Sequence, residues 1–429
     1  MATAGSAVGL GNVWKFPYEA GENGGGAFLL MYLFFVALFG LALVIAELLL
    51  GRTTQRNPVG AFRALGGAGW PAVGGVGVLA GFVILSFYIV VAGWTLAYLG
   101  FMATGQLDIE AGLLAEQFGA FVSSPIAPIG YAALFMVLCV GVVHGGVSGG
   151  IERASRLLMP ALFVLLLLLV GRSVTLPGAG EGLRYFLQPD WSKVSASTIS
   201  SAIGQAFFSL SLGMGTLITY GSYLHQNDRI PANAGIIAGL DTLVAVLAGL
   251  MILPAVFAFG FDPSAGPGLT FITLPAVFAQ MPGGQFFGMA FFALLAVAAL
   301  TSAISLLETV VCYFTDEHGL SRNSATAIVA LVSFGLGIPA SLSLGIWSGF
   351  TVPGTKFSIF DFLDFTASNL MLPFGGMLTA IFVGWRWATP AQEALIAGGL
   401  PAWMAKFWIV TLRYVAPLGI GYILFSALS

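Results

Sequence analysis

The chain of 429 residues is 58% hydrophobic and only 8% charged, with a mean hydropathy of +0.97 and a formal net charge of −3. Soluble domains carry about 25% charged residues, so this composition excludes a soluble globular protein and predicts a polytopic membrane protein. No basic run suggests nucleic acid as a partner, and Cys139 and Cys312 lie in apolar segments, which argues against a disulfide or a metal site.

Eleven segments are apolar enough to cross a bilayer, which requires about 20 residues. They cover residues 1–21, 26–50, 72–103, 127–145, 151–176, 197–224, 231–260, 284–315, 322–346, 358–387 and 406–428. We therefore predict an all-α membrane protein with about 11 transmembrane helices. The first segment has no charged leader or cleavage site, so we expect no signal peptide; residues missing before Met1 are a second explanation for its abrupt start.

The distribution of Lys and Arg predicts the orientation. If the amino terminus is cytoplasmic, ten basic residues lie on the inside: Arg52, Arg56, Arg63, Arg153, Arg156, Arg229, Arg322, Arg386, Lys406 and Arg413. Four lie outside: Arg172, Arg184, Lys193 and Lys356. Because cytoplasmic loops are enriched in Lys and Arg, we expect a multi-pass protein of the inner (plasma) membrane with a cytoplasmic amino terminus.

Two segments carry residues that disfavour a regular helix. In the first, Gly5, Gly9 and Gly11 each cost a helix about 1 kcal/mol relative to Ala, although Gly5 and Gly9 also fit a small-residue packing motif. In the sixth, glycine and hydroxyl residues occur throughout 208–215. Unwound backbone inside a bilayer is tolerated where it is buried in protein or lines a wet cavity. We predict that both helices are interrupted.

The two interrupted segments are five helices apart and would face the membrane from opposite sides. Matching interruptions in two five-helix halves are typical of inverted-repeat transporters. We expect a single transporter domain over 1–429, with one repeat in 1–176, the inverted repeat in 197–387 and an additional helix at 406–428.

The amino-terminal motif carries a family resemblance. Ala4–Tyr18 reads Ala-Gly-Ser-Ala-Val-Gly-Leu-Gly-Asn-Val-Trp-Lys-Phe-Pro-Tyr, and Glu22–Phe28 reads Glu-Asn-Gly-Gly-Gly-Ala-Phe. This resembles the first helix and loop of the neurotransmitter:sodium symporter family, and most of all its bacterial amino-acid transporters. The likeness continues to the eleventh helix through Tyr88, 205–223, 300–305 and 361–364.

The resemblance implies two bound sodium ions, and a hard cation prefers oxygen ligands. The first site would take its ligands from Ala7, Asn12, Ser209 and Asp241, with the substrate carboxylate completing the shell. The second would use Gly5, Val8, Ala298, Thr301 and Ser302. Alternatively, the adjacent hydroxyls of Thr301 and Ser302 bond back to their own helix.

Asp241 departs from the family pattern, in which Asn is frequent. Tyr32, Gln205 and Ser209 match chloride-coordinating positions of chloride-dependent relatives, whereas Ala245 can neither coordinate an anion nor replace one. We expect Asp241 to supply the negative charge, which would make transport independent of chloride. Proton countertransport through Asp241 and a purely structural aspartate are the alternatives.

The resemblance also implies a substrate. Monoamine-transporting relatives place an aspartate where this chain has Gly9, so a substrate that brings its own carboxylate is expected: a neutral, hydrophobic L-amino acid. The implied substrate residues are Ala7, Gly9, Leu10, Gly11, Ile84, Tyr88, Phe208, Ser209, Ser211, Met214, Ser302, Ser305 and Leu306. Amides at Leu10 and Gly11 would hold the carboxylate, aided by the helix dipole and by the Tyr88 hydroxyl.

The resemblance implies a gate on the outer side and another on the inner side of the substrate site. The implied outer gate consists of Lys15 paired with Asp364 above Tyr88 and Phe208, and the inner one of Tyr223, Glu308 and Asp316. The arginine that usually completes the inner gate would precede the first helix and has no counterpart in this sequence. Buried Glu47 is expected to brace the sixth helix by hydrogen bonding.

We therefore expect a sodium-coupled symporter that works by alternating access, with the lipid bilayer and a small amino acid as partners and with a homodimer left open. The alternatives are a proton-coupled permease of the same fold, a non-transporting sensor and a channel. An enzyme is not expected, because neither a Gly-x-Ser-x-Gly nor a His-Glu-x-x-His motif is present.

Overall fold

The computed structural model describes residues 8–264, 266 and 268–428. These residues are helical apart from their connections, and they include one isolated antiparallel bridge, between Gly25 and Pro189. After a π-helical turn at Gly11–Lys15, the helices are α1 (Phe16–Glu22), α2 (Gly26–Thr54), α3 (Pro58–Gly66), α4 (Pro71–Ala103), α5 (Ala111–Ser123), α6 (Ala127–His144), α7 (Val147–Val174), α8 (Ala179–Leu187), α9 (Ala196–Ser209), α10 (Thr216–Ser222), α11 (Ile230–Ala258), α12 (Leu269–Gln280), α13 (Gly284–His318), α14 (Arg322–Leu342), α15 (Ile359–Arg386), α16 (Ala388–Ala397) and α17 (Ala402–Ser426).

The predicted all-helical membrane fold is confirmed. Within the described residues, nine helices are long and apolar enough to cross a membrane: α2, α4, α6, α7, α11, α13, α14, α15 and α17. They match nine of the eleven predicted segments, although α17 begins at Ala402 rather than 406. The other two are the first segment, whose beginning lies outside the described residues, and the sixth, which is divided into α9 and α10.

The two longest helices, α4 with 33 residues and α13 with 35, pack along each other at the centre of the bundle. A glycine lies at each end of α13. Gly283 and Gly319 adopt φ values of 74° and 67°, which non-glycine residues rarely adopt. α9 begins at a capping box, in which the Ser195 hydroxyl accepts from the Thr198 amide and the Thr198 hydroxyl accepts from the Ser195 amide. These local signals determine where the site-bearing helices start and stop.

Candidate functional site

The break in the sixth segment lies between Ser209, where α9 ends, and Thr216, where α10 begins. Ser211, Gly213 and Gly215 have φ values of 56°, 78° and 73°, so the backbone turns left-handed three times. The Gly213 amide donates to Glu47 Oε1 on α2 at 2.8 Å. A left-handed non-glycine residue such as Ser211 is strained, and such strain is common at functional sites.

The first break is described from Val8 onwards; the predicted ligands Gly5 and Ala7 lie outside the described residues. Val8 and Gly9 are not helical, and regular structure starts at Leu10. The Gly9 amide donates to Asn12 Oδ1 at 3.0 Å. The Asn12 side chain therefore links the non-helical Gly9 to the helical turn that follows the break.

Close packing requires glycine at two positions of the first break. A Cβ atom at Gly9 would clash with the Ser302 hydroxyl on α13, and one at Gly11 would lie 3.0 Å from the Phe208 ring. A side chain at Gly9 would require the Ser302 hydroxyl to move, and one at Gly11 would require the Phe208 ring to shift. The packing at Gly9 therefore leaves little room for an aspartate.

Asp241, on α11, is completely buried. Its Oδ1 accepts from Asn12 Nδ2 at 2.7 Å, and its Oδ2 accepts from the Ser209 hydroxyl at 2.7 Å and from the Tyr32 hydroxyl at 3.2 Å. All three donors are neutral, and no Lys, Arg or His within the described ranges forms an ion pair with this carboxylate. A buried carboxylate without a cationic partner is costly, and its surroundings suit a cation.

Gln205 stands next to this cluster. Its Nε2 donates to the Gly11 carbonyl at 2.7 Å, while its buried Oε1 has no hydrogen-bond partner in the described part of the chain. Tyr32 and Ser209, the other predicted chloride-coordinating positions, lie 3.2 Å apart through their hydroxyls. Ala245 is buried and offers no polar group.

Three predicted ligands of the second sodium site also converge. The Thr301 hydroxyl lies 3.0 Å from the Val8 carbonyl oxygen and 2.9 Å from that of Ala298. It also lies 3.3 Å from the Val297 carbonyl of its own helix, as the back-bonding alternative requires. Ser302, next in sequence, faces Gly9.

A small cavity of about 30 Å³ separates the two breaks. It is lined by Gly9, Gly11, Ile84, Tyr88, Phe208, Ser209, Ser211, Met214, Thr216, Ser302 and Leu306, ten of which are predicted substrate residues. Thr216 was not predicted. Ser305 does not line the cavity, because its hydroxyl bonds Tyr220 and the Thr301 carbonyl, each at 3.0 Å. The Leu10 amide lies 3.4 Å from the Tyr88 hydroxyl, so two groups predicted to bind carboxylate are neighbours.

The predicted outer-gate residues surround a second cavity, of about 40 Å³. Tyr88, Phe208, Lys15 and Asp364 all line it, but the expected ion pair is not formed. Lys15 Nζ instead lies over the Phe208 ring, 4.6 Å from its centroid, and Asp364 accepts a hydrogen bond from Ser368 at 2.8 Å. The Lys15 charge is therefore stabilised by an aromatic face.

The inner-gate residues form two clusters. Glu308 Oε1 accepts from the Tyr223 hydroxyl at 2.6 Å, and both Glu308 oxygens are paired with Arg322 at the start of α14. Asp316 accepts instead from the Asn57 amide at 3.2 Å and from its side chain at 3.3 Å. Sequence reasoning missed Arg322 as a partner. The feature that could have indicated this pairing is the short connection 319–321. It makes α14 fold back along α13 and so brings Arg322 close to Glu308.

Comparisons with known proteins identify the class. The family model of the sodium:neurotransmitter symporter family matches residues 1–112 and 126–429. An uncharacterized sodium-dependent transporter of Bacillus subtilis, YhdH, is 42% identical over 98% of this chain and 94% of its own length. An uncharacterized sodium-dependent transporter of Haemophilus influenzae is 37% identical over 100% of this chain and 96% of its own.

Among solved structures, that of MhsT in complex with L-phenylalanine superposes with a TM-score of 0.92 at 48% identity, covering 99% of this chain and 97% of that one. The chain belongs to the sodium:neurotransmitter symporter family. It is a sodium-dependent, multi-pass membrane symporter and not an enzyme.

Proposed function

We propose that this symporter takes up neutral, hydrophobic L-amino acids, and that the substrate occupies the cavity between the two breaks. The observation that carries the proposal is the pairing of the Leu10 amide with the Tyr88 hydroxyl beside Gly9. The Leu10 amide donates to the Tyr88 hydroxyl, and a carboxylate placed beside them would accept from both groups. The lack of a side chain at Gly9 leaves the substrate to supply the negative charge. The phenylalanine bound to MhsT supports an amino acid.

The part of the cavity that would hold the substrate side chain is apolar. Ile84, Phe208, Met214 and Leu306 line it together with small hydroxyl residues, and none of its lining residues is charged. A charged substrate side chain would be desolvated there without a partner. Because the cavity is about the size of one water molecule, at roughly 30 Å³, the lining side chains must separate to admit substrate. Met214 is flexible enough to accommodate several shapes.

The first proposed sodium site uses Asn12, Ser209 and Asp241, with the Ala7 carbonyl and the substrate carboxylate. The hydrogen bonds that join these three side chains support a common site. The proposed second site uses the carbonyls of Gly5, Val8 and Ala298 with the hydroxyls of Thr301 and Ser302, supported by the Thr301 contacts. Two ions and one substrate would thus tie both breaks to α11 and α13.

We also propose that Asp241 replaces chloride. Its carboxylate lies within hydrogen-bond distance of Tyr32 and Ser209, two of the chloride-coordinating positions, so a second anion there would be repelled. Transport would then need sodium but not chloride.

We propose that transport proceeds by alternating access. Sodium and substrate bind preferentially to one arrangement of the breaks and shift the population towards it. We propose that the two repeats, 1–176 and 197–387, rock against each other, that the amino terminus is cytoplasmic, and that the inner membrane is the location. Phe208 would close the outer side, and Tyr223, Glu308 and Asp316 the inner side.

Uptake into proteoliposomes tests the proposal. We expect accumulation of leucine, methionine or an aromatic amino acid in sodium but not in choline medium, and unchanged uptake when gluconate replaces chloride. Equal uptake in choline driven by a pH gradient would favour the proton-coupled permease. Stronger competition by arginine or glutamate than by leucine would contradict the pocket assignment.

A further inference from the structure

A larger cavity, of about 350 Å³, opens on the side of the helical bundle. It lies between α4, α13 and α14 and is lined by apolar and aromatic residues within 75–82, 310–314 and 328–332. We call it the side groove. The described residues that line it include none of those assigned above to sodium, substrate or gates, so transport chemistry does not account for it.

The depth of the side groove in the membrane follows from the helix ends. α13 ends at His318 and α14 begins at Arg322 after a short turn, so these ends share one face of the bundle. The start of α4 lies at the same face, because Gly74 packs on Pro58 while Asn57 bonds Glu317 near the end of α13. All three lining stretches lie within about 11 residues of these ends, or roughly 17 Å along a helix. This is the depth of the acyl chains of one leaflet, since the hydrocarbon core is about 30 Å thick.

The rim of the side groove faces outward. Leu79, Ile328 and Val332 are 52%, 46% and 54% exposed, and they lie on helices long and apolar enough to cross a membrane. The hydroxyl of Tyr313 lies 3.2 Å from His318 Nε2, so it has a partner away from the groove. None of the described residues that line the groove is charged, which argues against a headgroup as its occupant. The groove is thus continuous with the lipid-facing surface and matches a hydrocarbon chain.

We propose that the side groove is a binding site for one acyl chain of a membrane phospholipid. The chain would pack against Val310 and Val329, on the two helices that carry Glu308 and Arg322. Its binding would hold α13 and α14 together and stabilise the folded protein in the manner of any ligand that binds only the native state.

Gly75 allows a sharp test. A Cβ atom at Gly75 would meet no other atom within 4 Å, so Gly75→Leu adds a side chain to the groove without a backbone clash. Gly100, on the same helix but outside the groove, also faces open space, and Gly100→Leu is the matched control. Both changes raise helix propensity alike.

The measurement is the number of phospholipids retained by purified full-length protein in native mass spectrometry, with dipalmitoyl phosphatidylglycerol as the probe. We expect the wild-type protein and Gly100→Leu each to retain one lipid molecule. In Gly75→Leu, the occupancy of this lipid should be about fivefold lower. The dihexanoyl lipid with the same headgroup should not compete. Val332→Phe, which adds a larger side chain to the groove from α14, should lower lipid occupancy as Gly75→Leu does.

Equal retention by all variants would overturn the proposal, as would full competition by the short-chain lipid, which would indicate a headgroup site. If Gly75→Leu converted a dimer to a monomer with lipid retention unchanged, the occupant would be a second copy of the chain and the proposal would be wrong. None of these outcomes depends on substrate or sodium.

Discussion

The side-chain amide of Asn12 donates hydrogen bonds to two oxygen atoms of Asp241. Asn12 Nδ2 lies 2.7 Å from the carboxylate Oδ1 of Asp241 and 2.9 Å from its main-chain oxygen. The pair connects the first break to α11, and Ser209 connects Asp241 to the end of α9. One carboxylate therefore links three parts of the chain that are remote in sequence. Any cation bound by this carboxylate is sensitive to the position of all three.

Asp241→Asn should weaken sodium binding by about tenfold or more, because a contact with a charged group is worth about 1.5–3 kcal/mol. Added chloride should restore part of the affinity, since the variant recreates a neutral site beside Tyr32 and Gln205. Sodium titration of amino-acid binding to purified protein, in chloride and in gluconate, measures both effects.

Asp190→Asn is the control for this change. Asp190 is exposed in the connection before α9, and hydrogen bonds from the Ser192 side chain and backbone lower the pKa of its carboxyl, so it is ionised at neutral pH. The same substitution there should leave sodium affinity unchanged. An Asp241→Asn protein that bound sodium like wild type in gluconate would contradict the assignment.

Gly9→Ala should reduce amino-acid affinity at least about tenfold, because the added methyl group overlaps the Ser302 hydroxyl and forces the Ser302 side chain out of its position beside the cavity. Equilibrium binding of labelled substrate measures the loss. Gly100→Ala, which adds the same group in open space, should bind normally. Wild-type affinity in Gly9→Ala would mean that this packing does not limit the site.

Arg322→Ala should destabilise the protein by about 3–5 kcal/mol, because fully buried Glu308 would lose its cationic partner. Thermal unfolding in detergent reports the change. Glu308→Gln in the same background should recover part of the loss, since it removes the uncompensated charge.

The control is Arg156→Ala. Arg156 pairs with Glu152 one helical turn away, and their side chains are 69% and 41% exposed, so the loss should be below about 1 kcal/mol. Equal destabilisation by Arg156→Ala and Arg322→Ala would show that burial of Glu308 does not determine the effect.

Phe208→Leu should speed substrate release by about threefold to tenfold. The Phe208 ring lines both the cavity between the two breaks and the cavity at the outer gate, and Lys15 lies over it. Removing the ring therefore opens a path between the two cavities and deletes a cation–π contact of about 0.5–2 kcal/mol. Dissociation of labelled amino acid measures the rate. Phe208→Tyr keeps the ring and should release at the wild-type rate; identical rates in all three proteins would exclude Phe208 as the barrier.

Hydropathy was sufficient to predict the helical membrane fold, because a bilayer demands long apolar helices wherever the chain crosses it. Glycine and hydroxyl residues likewise indicated the interruption at 208–215, since Gly213 and Gly215 adopt conformations that helices do not contain. The convergence of Thr301 with Val8 could be expected only through the family resemblance, as 293 residues separate them.

Side-chain partners at the gates were less predictable. Lys15 and Asp364 are opposite charges near one cavity, but Lys15 lies over the Phe208 ring instead. The pairing of Glu308 with Arg322 depends on the angle between two helices, which composition does not encode. Ser305 lies at helical spacing from Thr301 and Ser302 on α13, yet its hydroxyl bonds Tyr220, away from the cavity.

The left-handed turns at Ser211 and Gly213 have a consequence for the energetics of each transport cycle. Their geometry is imposed when the protein folds, with the Gly213 amide held by Glu47. An incoming substrate therefore meets a main chain that is already non-helical and fixed in orientation, and none of its binding energy is needed to unwind a helical turn. That energy is left to drive the proposed rocking of one repeat against the other.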